Sequence, residues 1–169
     1  KLEGSGDWKA WNGELTANLG ASPLARIALT ARDGEFTAKG KAQPSRLLTG
    51  ASAALFAPET DIDLKARLAE RKADLDGRLS SEAFRLGISG GVDLGTNRYD
   101  DLQLAFVLLR PGAVAPALRG SGMRASARLS GAFALPTVEY QANAAVLAVN
   151  DIIVETLSLS GKARVDADQ

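Results

Sequence analysis

The chain has 169 residues, about the length of one domain, and 46% of them are hydrophobic. It carries 20 Lys and Arg against 20 Asp and Glu, so no net field attracts nucleic acid, and that class of partner is disfavoured. The absence of His and Cys excludes zinc sites, thiol nucleophiles and His-based acid–base catalysis. No apolar run is long enough to predict a transmembrane helix.

The beginning of the chain is predicted to hold two tryptophans and then a strand. Trp8 and Trp11 precede the turn sequence Asn12-Gly13, and residues 14–19 then alternate between apolar and polar side chains. Ser22-Pro23 is expected to end this strand. Two tryptophans would suit a membrane interface, but no matching aromatic group occurs elsewhere in the chain. Packing at a strand edge is therefore the favoured role.

Strict alternation between apolar and polar residues recurs along the rest of the chain. From Asp61 to Leu68 every second residue is apolar and the others are charged, which is the pattern of a strand with one apolar face. The pattern predicts about ten strands at spacings of roughly 8 to 15 residues. The further strand candidates are 24–32, 36–40, 51–56, 61–68, 73–79, 84–94, 102–109, 123–135, 138–149 and 153–165.

Turn signals separate these strands. Asp33-Gly34 predicts a hairpin, and Gly90-Gly91 predicts a bulge or bend within a strand. Residues 44–49, followed by Gly50, predict a short helical turn. The predicted fold class is all-β: a long antiparallel or mixed sheet curled into a trough, with an apolar interior, a charged exterior and at most one or two short helical turns.

The domain organisation and the last strand complete this prediction. Residues 1–169 are interpreted as one segment cut from a longer protein, with loop or short-helix breaks at 44–50 and 111–119. The alternation slips at 150–156, so either Ile152 and Val154 or Ile153 and Leu157 face inward.

Patterns of catalytic and metal-binding residues are not found. Residues 87–91 have the spacing of a nucleophile elbow, but the chain has no His to act as the base. Asp61 and Asp63 share one face of a strand about 7 Å apart, beside Lys65 and Arg67, so charge pairing across strands explains them. The sequence therefore predicts no enzyme, no metal site and no cofactor.

The apolar face of such a sheet has to be covered, because apolar surface in water costs about 25 cal/mol per Å². A second sheet, helices, lipid or a ligand could cover it. The lack of amphipathic helices and the densely charged opposite face leave a sheet that closes on itself as a sandwich, a barrel or a trough. A partly open trough exposes an apolar strip, which usually marks a binding surface. A chain of CH₂ groups is its natural ligand, since each buried CH₂ contributes about 0.8 kcal/mol.

Several short stretches resemble the TamB family, within the wider AsmA-like and bridge-like lipid-transfer group. The stretches that carry the resemblance are Gly13-Glu14-Leu15 and residues 44–50, 77–81, 90–94, 109–112 with Pro116, and 129–140. The last of these continues through Ala144, Val154 and Leu157 to residues 161–163. The resemblance covers most of the chain.

The resemblance implies a β-groove in the periplasm of a Gram-negative bacterium, with the parent protein anchored in the inner membrane. It implies passage of phospholipid acyl chains toward the outer membrane, and support of outer-membrane assembly. It also implies an outer-membrane partner of the barrel-assembly type, which would bind through parts absent from this segment. Only the groove role carries over to these residues.

The residues predicted to line the groove are the large apolar members of the alternating strands. They are Ile27, Leu29, Phe36, Leu55, Ile62, Leu64, Leu68, Leu75, Leu79, Phe84, Leu86, Ile88, Leu102, Leu104, Phe106, Leu129, Phe133, Val138, Tyr140, Val146, Leu157 and Leu159. The alternative function is a structural β-solenoid or sandwich stalk, or an interaction module of a surface or secreted protein, in which a facing sheet would fill the same core.

Overall fold

The computed structural model describes residues 1–7 and 9–165. Within them the strands form one antiparallel sheet, interrupted by helix α1 (Gly50–Phe56) and by 3₁₀ turns at Pro44–Arg46 and Pro111–Ala113. In chain order the strands are β1 (Leu2–Gly6), β2 (Ala10–Leu19), β3 (Ser22–Arg32), β4 (Glu35–Ala42), β5 (Thr60–Ala69), β6 (Lys72–Ser80), β7 (Phe84–Asp93), β8 (Arg98–Leu108), β9 (Leu118–Ser121), β10 (Arg124–Ala132), β11 (Thr137–Val149) and β12 (Ile152–Arg164).

The sheet follows chain order almost throughout. Neighbouring strands pair from β1 to β8, and the sheet then continues through β10, β11 and β12. The short strand β9 extends the line of β10 and pairs with the far half of β11. β1 and β12 form two separate edges, so the described strands do not close into a barrel. The open sheet is curled into a trough. The all-β prediction is confirmed.

Two of the predicted turn features are present. Asp33 and Gly34 have φ angles of 47° and 81° and join β3 to β4, as a two-residue hairpin turn with left-handed central residues requires. Gly90 has a φ of 112°, and the pairing of β7 with β8 shifts register between Ser89 and Gly91. That shift is the expected bulge.

The predicted start of the sheet is wrong. Asn12-Gly13 is not a turn, because both residues lie within β2 and pair with Thr30 and Leu29 of β3. The strand β1 was not predicted, since its two glycines leave it without a clear alternating pattern. The turn before β2 instead uses Asp7, whose Oδ1 accepts hydrogen bonds from the backbone N–H groups of Lys9 and Ala10 at 2.8 and 3.0 Å.

Two further boundaries differ from the prediction. Ser22-Pro23 does not separate strands but begins β3. Leu24 is skipped in the pairing of β3 with β2, and this irregularity directly follows the proline. Residues 51–56 form helix α1 rather than a strand, because Ala and Leu have high helix propensity and the alanines supply no alternating pattern. Gly50, expected to close a helical turn, begins this helix instead.

The buried apolar residues of the described part are few, and the largest of them, Phe84, lies beneath α1. Phe84, with 4% of its surface exposed, packs between Phe56 and Phe106 at ring-centroid distances of 5.3 and 5.6 Å. Ser81 Oγ and Thr60 Oγ1 donate hydrogen bonds to the helix carbonyls of Leu55 and Phe56, at 2.6 and 3.3 Å. The expectation of a sheet without a covering helix is therefore wrong at this one end.

The pairing of β12 answers the register question left open by the sequence. Leu157 lies opposite Ala144 and Ile153 lies opposite Ala148, both on the alternating face of β11 that includes Val138. The second of the two predicted arrangements is therefore present. The slip in the pattern coincides with Thr156, which has a φ of 55° while the strand keeps its register on both sides.

Candidate functional site

Three rows of residues cross the sheet on one face, because residues paired in register on neighbouring strands point to the same side. Row A consists of Leu2, Leu15, Ile27, Gly40, Ile62, Leu79, Leu86, Phe106, Ala125, Ala142 and Leu159. Row B consists of Gly4, Gly13, Leu29, Ala38, Leu64, Gly77, Ile88, Leu104, Ala127, Tyr140 and Gly161. Row C consists of Gly6, Trp11, Ala31, Phe36, Ala66, Leu75 and Gly90 and, past the bulge, Leu102, Leu129, Val138 and Ala163.

No charged residue interrupts the rows. Each member is an apolar residue, a glycine or Tyr140, from the edge strand β1 to the edge strand β12. At about 4.8 Å between neighbouring strands, each row spans roughly 50 Å. The rows run perpendicular to the strands, so the sheet carries a continuous apolar surface along its long dimension.

The rows bring together most of the predicted lining residues. Row A holds Ile27, Ile62, Leu79, Leu86, Phe106 and Leu159; row B holds Leu29, Leu64, Ile88, Leu104 and Tyr140; row C holds Phe36, Leu75, Leu102, Leu129 and Val138. Four others flank the rows on the same strands and pair as Leu68 with Ala73, Phe84 with Leu108, Val146 with Glu155, and Leu157 with Ala144.

Two predicted residues lie off the strands. Leu55 belongs to α1, so its expected place in a strand is wrong, and its carbonyl instead accepts the Ser81 hydrogen bond. Phe133 follows β10 and packs its ring against Tyr99 at a centroid distance of 4.7 Å. This pair lies beyond row C.

Sequence reasoning missed several members of the rows. Trp11 and Leu15 belong to rows C and A. The apparent turn at Asn12-Gly13 separated Trp11 from the strand predicted at 14–19, and Leu15, within that strand, was not included among the predicted lining residues. Tyr99 lies opposite Val92 and Gly131 on the same face, past a bulge that changes the parity of β8. The alternation of β2 from Trp11 through Leu15 is the signal that could have found the first two.

A cavity of about 490 Å³ lies on this face over strands β2 to β7. Trp11, Phe36, Leu64, Leu75 and Ile88 contribute to its walls. Nearly all of the lining surface is apolar. A cavity with so few polar groups can exclude water from an apolar ligand but offers little to orient a polar one.

Glycines of row B let large side chains lie flat on the neighbouring strand. The Trp11 ring covers Gly4 and Gly13, and the Tyr140 ring covers Gly161, so closely that a Cβ at any of the three would collide with the ring. The aromatic rings thereby occupy the space that side chains would otherwise fill, and they keep the apolar surface continuous near both edges of the sheet.

The rows lie outside the buried core of the described residues. Phe36 is 44% exposed, Tyr140 is 41% exposed, and Leu159 at the edge is 56% exposed. The described strands belong to one sheet, so no second sheet among the described residues covers the rows. Apart from the end beneath α1, the large side chains of the rows are half-buried or exposed.

The opposite face carries the charges of the described strands, apart from Glu155 and Arg119, which lie opposite Val146 and Ala148 on the apolar face. Lys39 pairs with Asp63 at 3.2 Å, and Arg128 pairs with Asp101 at 2.7 Å, both across strands. Asp61 contacts Lys41 at 3.7 Å. The described residues contain no group of three potential metal ligands. This face therefore has the ordinary character of a solvated surface, and the apolar face is the candidate site.

Comparisons with protein-family models, with curated proteins and with solved structures find no match to this chain. In the described part of the chain, no helix has both the length and the apolar character needed to cross a membrane.

Proposed function

We propose that the apolar face formed by rows A, B and C holds phospholipid acyl chains and shields them from water as they move along the trough. The observation that carries the proposal is the continuity of the three rows from β1 to β12 without a charged member. An acyl chain has no polar groups to recognise, so a surface that binds it needs apolar area and continuity rather than a specific constellation.

The energetics suit this role. Each CH₂ group removed from water contributes about 0.8 kcal/mol, and a chain that slides along a uniform row exchanges one set of apolar contacts for another. The free energy therefore changes little along the path. The open side of the trough would leave a lipid head group in water while the acyl chains stay covered.

The wider setting is part of the same proposal. We place the chain in the TamB family, as a groove segment in the periplasm of a Gram-negative bacterium. The parent protein would be anchored in the inner membrane and would act with an outer-membrane assembly partner. In this role the segment works without catalysis or cofactor, because transfer along the groove breaks no bond.

Trp11 allows a direct binding test, because it lies in row C and borders the cavity. The chain has two tryptophans, so the Trp8→Phe variant leaves Trp11 as the only indole fluorophore. Phosphatidylcholine with brominated acyl chains should quench its emission, whereas the same lipid without bromine should not. Bromine quenches over contact distance, so quenching places the acyl chain beside row C.

A matched pair of variants on β7 provides the control. Ile88→Lys puts a charge into row B, while Ser89→Lys puts the same charge on the opposite face, across from Asp76. Burying an unpaired charge is costly, so Ile88→Lys should abolish the quenching and Ser89→Lys should preserve it. Equal quenching in both variants, or none in the parent protein, would reject the proposed function and favour a structural module.

A further inference from the structure

Two charged side chains lie on the apolar face of the described strands, and both are at one corner of the sheet. Arg119 of β9 pairs with Ala148 of β11, and Glu155 of β12 pairs with Val146 of β11. These β11 residues alternate in step with Tyr140 of row B, and paired residues lie on the same side of a sheet. The pairing with β11 therefore places one cation and one anion on the apolar face.

This corner lies within the reach of a lipid that rests on the rows. β11 continues past row A, where β9 pairs with it on one side and β12 on the other. Four residues separate Ala142 of row A from Val146, which is about 14 Å along a strand. One acyl chain of a bilayer spans about 15 Å, half of the hydrocarbon thickness. A head group at this corner therefore leaves its acyl chains over row A.

Arg119 and Ser121 form the basic side of the corner. They are two residues apart on β9, so both side chains lie on the apolar face. The Arg119 guanidinium donates through Nη1 to the carbonyl of Pro116 and, at 3.0 Å, to that of Leu118. These contacts hold the guanidinium beside its own loop, and within the described residues they do not use Nε or Nη2. Guanidinium and hydroxyl donors suit the oxygens of a phosphate group.

Glu155 forms the acidic side of the corner, across β11 from Arg119. Two strand spacings, and two residues along the strands, separate these residues, which puts their Cα atoms about 12 Å apart. Both side chains are exposed. The Glu155 carboxylate can accept hydrogen bonds from a primary ammonium group. A ligand with a phosphate and an ammonium on a short link can therefore contact Arg119 with one end and Glu155 with the other.

We propose that this corner binds the head group of a zwitterionic phospholipid, with its phosphate at Arg119 and Ser121 and its primary ammonium at Glu155. The proposal rests on the function proposed above, because it requires the acyl chains to lie on the rows. A phospholipid without an ammonium group brings its negative charge near Glu155 with nothing to offset it. A diacylglycerol sets both protein charges beside apolar chains without a counter-charge, which is unfavourable. The corner therefore selects among lipids with identical acyl chains.

Photo-crosslinking at two positions of the full chain separates the head-group site from the trough. Ala148 lies in the corner, opposite Arg119, and Leu64 lies in row B on a distant strand. Each variant is illuminated in mixed micelles with equal amounts of phosphatidylethanolamine, phosphatidylglycerol and diacylglycerol of the same acyl chains, and captured lipid is measured by mass spectrometry. At Ala148, phosphatidylethanolamine should exceed each of the others by about threefold, since exposed ion pairs are weak. At Leu64 the three lipids should be captured equally.

Substitutions of the two charges identify their roles. Glu155→Gln should remove the excess of phosphatidylethanolamine over phosphatidylglycerol at Ala148, and Arg119→Gln should lower both phospholipids to the level of diacylglycerol. Arg124→Gln and Glu139→Gln make the same chemical changes on the opposite face and should leave the ratios unchanged. Capture at Leu64 in each variant shows that the fold is retained.

Two results would overturn the head-group site while capture at Leu64 still supported the proposed function. One is equal capture of the three lipids at Ala148, and the other is an unchanged ratio in both Glu155→Gln and Arg119→Gln. Absence of capture at both positions would instead reject the proposed function itself, and the head-group site with it.

A soluble competitor distinguishes a lipid from a free phosphodiester. Glycerophosphoethanolamine has the same head group without acyl chains, and in excess it should leave the capture at Ala148 unchanged, because exposed ion pairs alone bind weakly. Loss of capture in its presence would show that the corner binds a soluble phosphodiester, and would overturn the proposal of a lipid site.

Discussion

At the scale of single residues, glycine and tryptophan fit together in the first strands. A Cβ on Gly13 would collide with the Trp11 ring, whereas a Cβ on Gly87 would meet only Ala105, at 3.8 and 3.9 Å. The first position is restricted by its neighbour and the second has room. The two glycines therefore form a matched pair for a packing test.

We expect Gly13→Ala to destabilise the fold by about 1–3 kcal/mol through overpacking. Gly87→Ala should be neutral or slightly stabilising, because it reduces the freedom of the unfolded chain. Chemical denaturation of both variants measures these changes. Combining Gly13→Ala with Trp11→Leu should cost less than the sum of the single changes, since residues in contact are coupled. Additive costs would show that the ring does not cover Gly13.

Charged residues on the opposite face give the protein a pH dependence. The hydrogen bond from Lys162 lowers the pKa of Glu139 from 4.5, and backbone N–H groups, first that of Thr96, lower the pKa of Asp93 from 3.8. The folded chain therefore binds these protons less tightly than the unfolded chain. The stability that they contribute is present above the ordinary pKa values and is lost as the pH falls through the lowered ones.

We expect the melting temperature of the protein to fall as the pH is lowered below about 4.5, and Glu139→Gln to lessen this fall. The effect of this one variant should be small, because exposed ion pairs contribute little. Thermal unfolding followed at about pH 7 and about pH 3 measures it. A control variant at Glu155, which has no partner in the cited ion pairs, should keep the full pH dependence. If the melting temperature of Glu139→Gln falls as far as that of the parent protein, Glu139 does not contribute to the pH dependence.

At the scale of secondary-structure elements, helix α1 divides the apolar face into a covered end and an open remainder. Phe84 lies beneath the helix and is 4% exposed, while Phe36 lies in row C and is 44% exposed. The same side chain thus occurs once as a core residue and once as part of the candidate surface. We therefore expect a substitution of Phe84 to affect mainly the stability of the fold, and a substitution of Phe36 to affect mainly lipid binding.

We expect Phe84→Ala to lower the free energy of unfolding by about 3–5 kcal/mol, since it removes a buried ring. Phe36→Ala should cost much less stability but should weaken the quenching of Trp11 by brominated lipid. Denaturation curves and the quenching assay, applied to both variants, separate the roles. If Phe36→Ala is as destabilising as Phe84→Ala, then row C is a filled core and not an open surface.

The elements also show how far the sequence could predict the fold. Strict alternation, as in residues 61–68, predicts strands because each charged side chain points to solvent and its two neighbours then lie on the opposite face. It fails where side chains are small: β1 has glycines, and residues 51–56 have alanines that suit a helix equally well. The register between strands depends on contacts distant in sequence, so the continuity of row A from Leu2 to Leu159 could not be predicted.

At the scale of the whole molecule, a wide sheet keeps most of its large apolar side chains outside a buried core. A protein that only needed stability would cover this face, because exposed apolar surface is costly. The described residues cover it at one end, beneath α1, and leave the large side chains of the three rows half-buried or exposed. The two-residue alternation of the strands, repeated in register, produces these rows.

Capture of lipid along one strand tests the central claim most directly. A photo-crosslinking amino acid is placed in turn at each residue from Asp61 to Ala66 of β5, and phospholipid attached after illumination in cells is measured. The rows predict capture at Ile62, Leu64 and Ala66 and little at the residues between them, a period of two along the strand. Capture at Lys65 equal to that at Leu64, or no capture at either, would contradict the account.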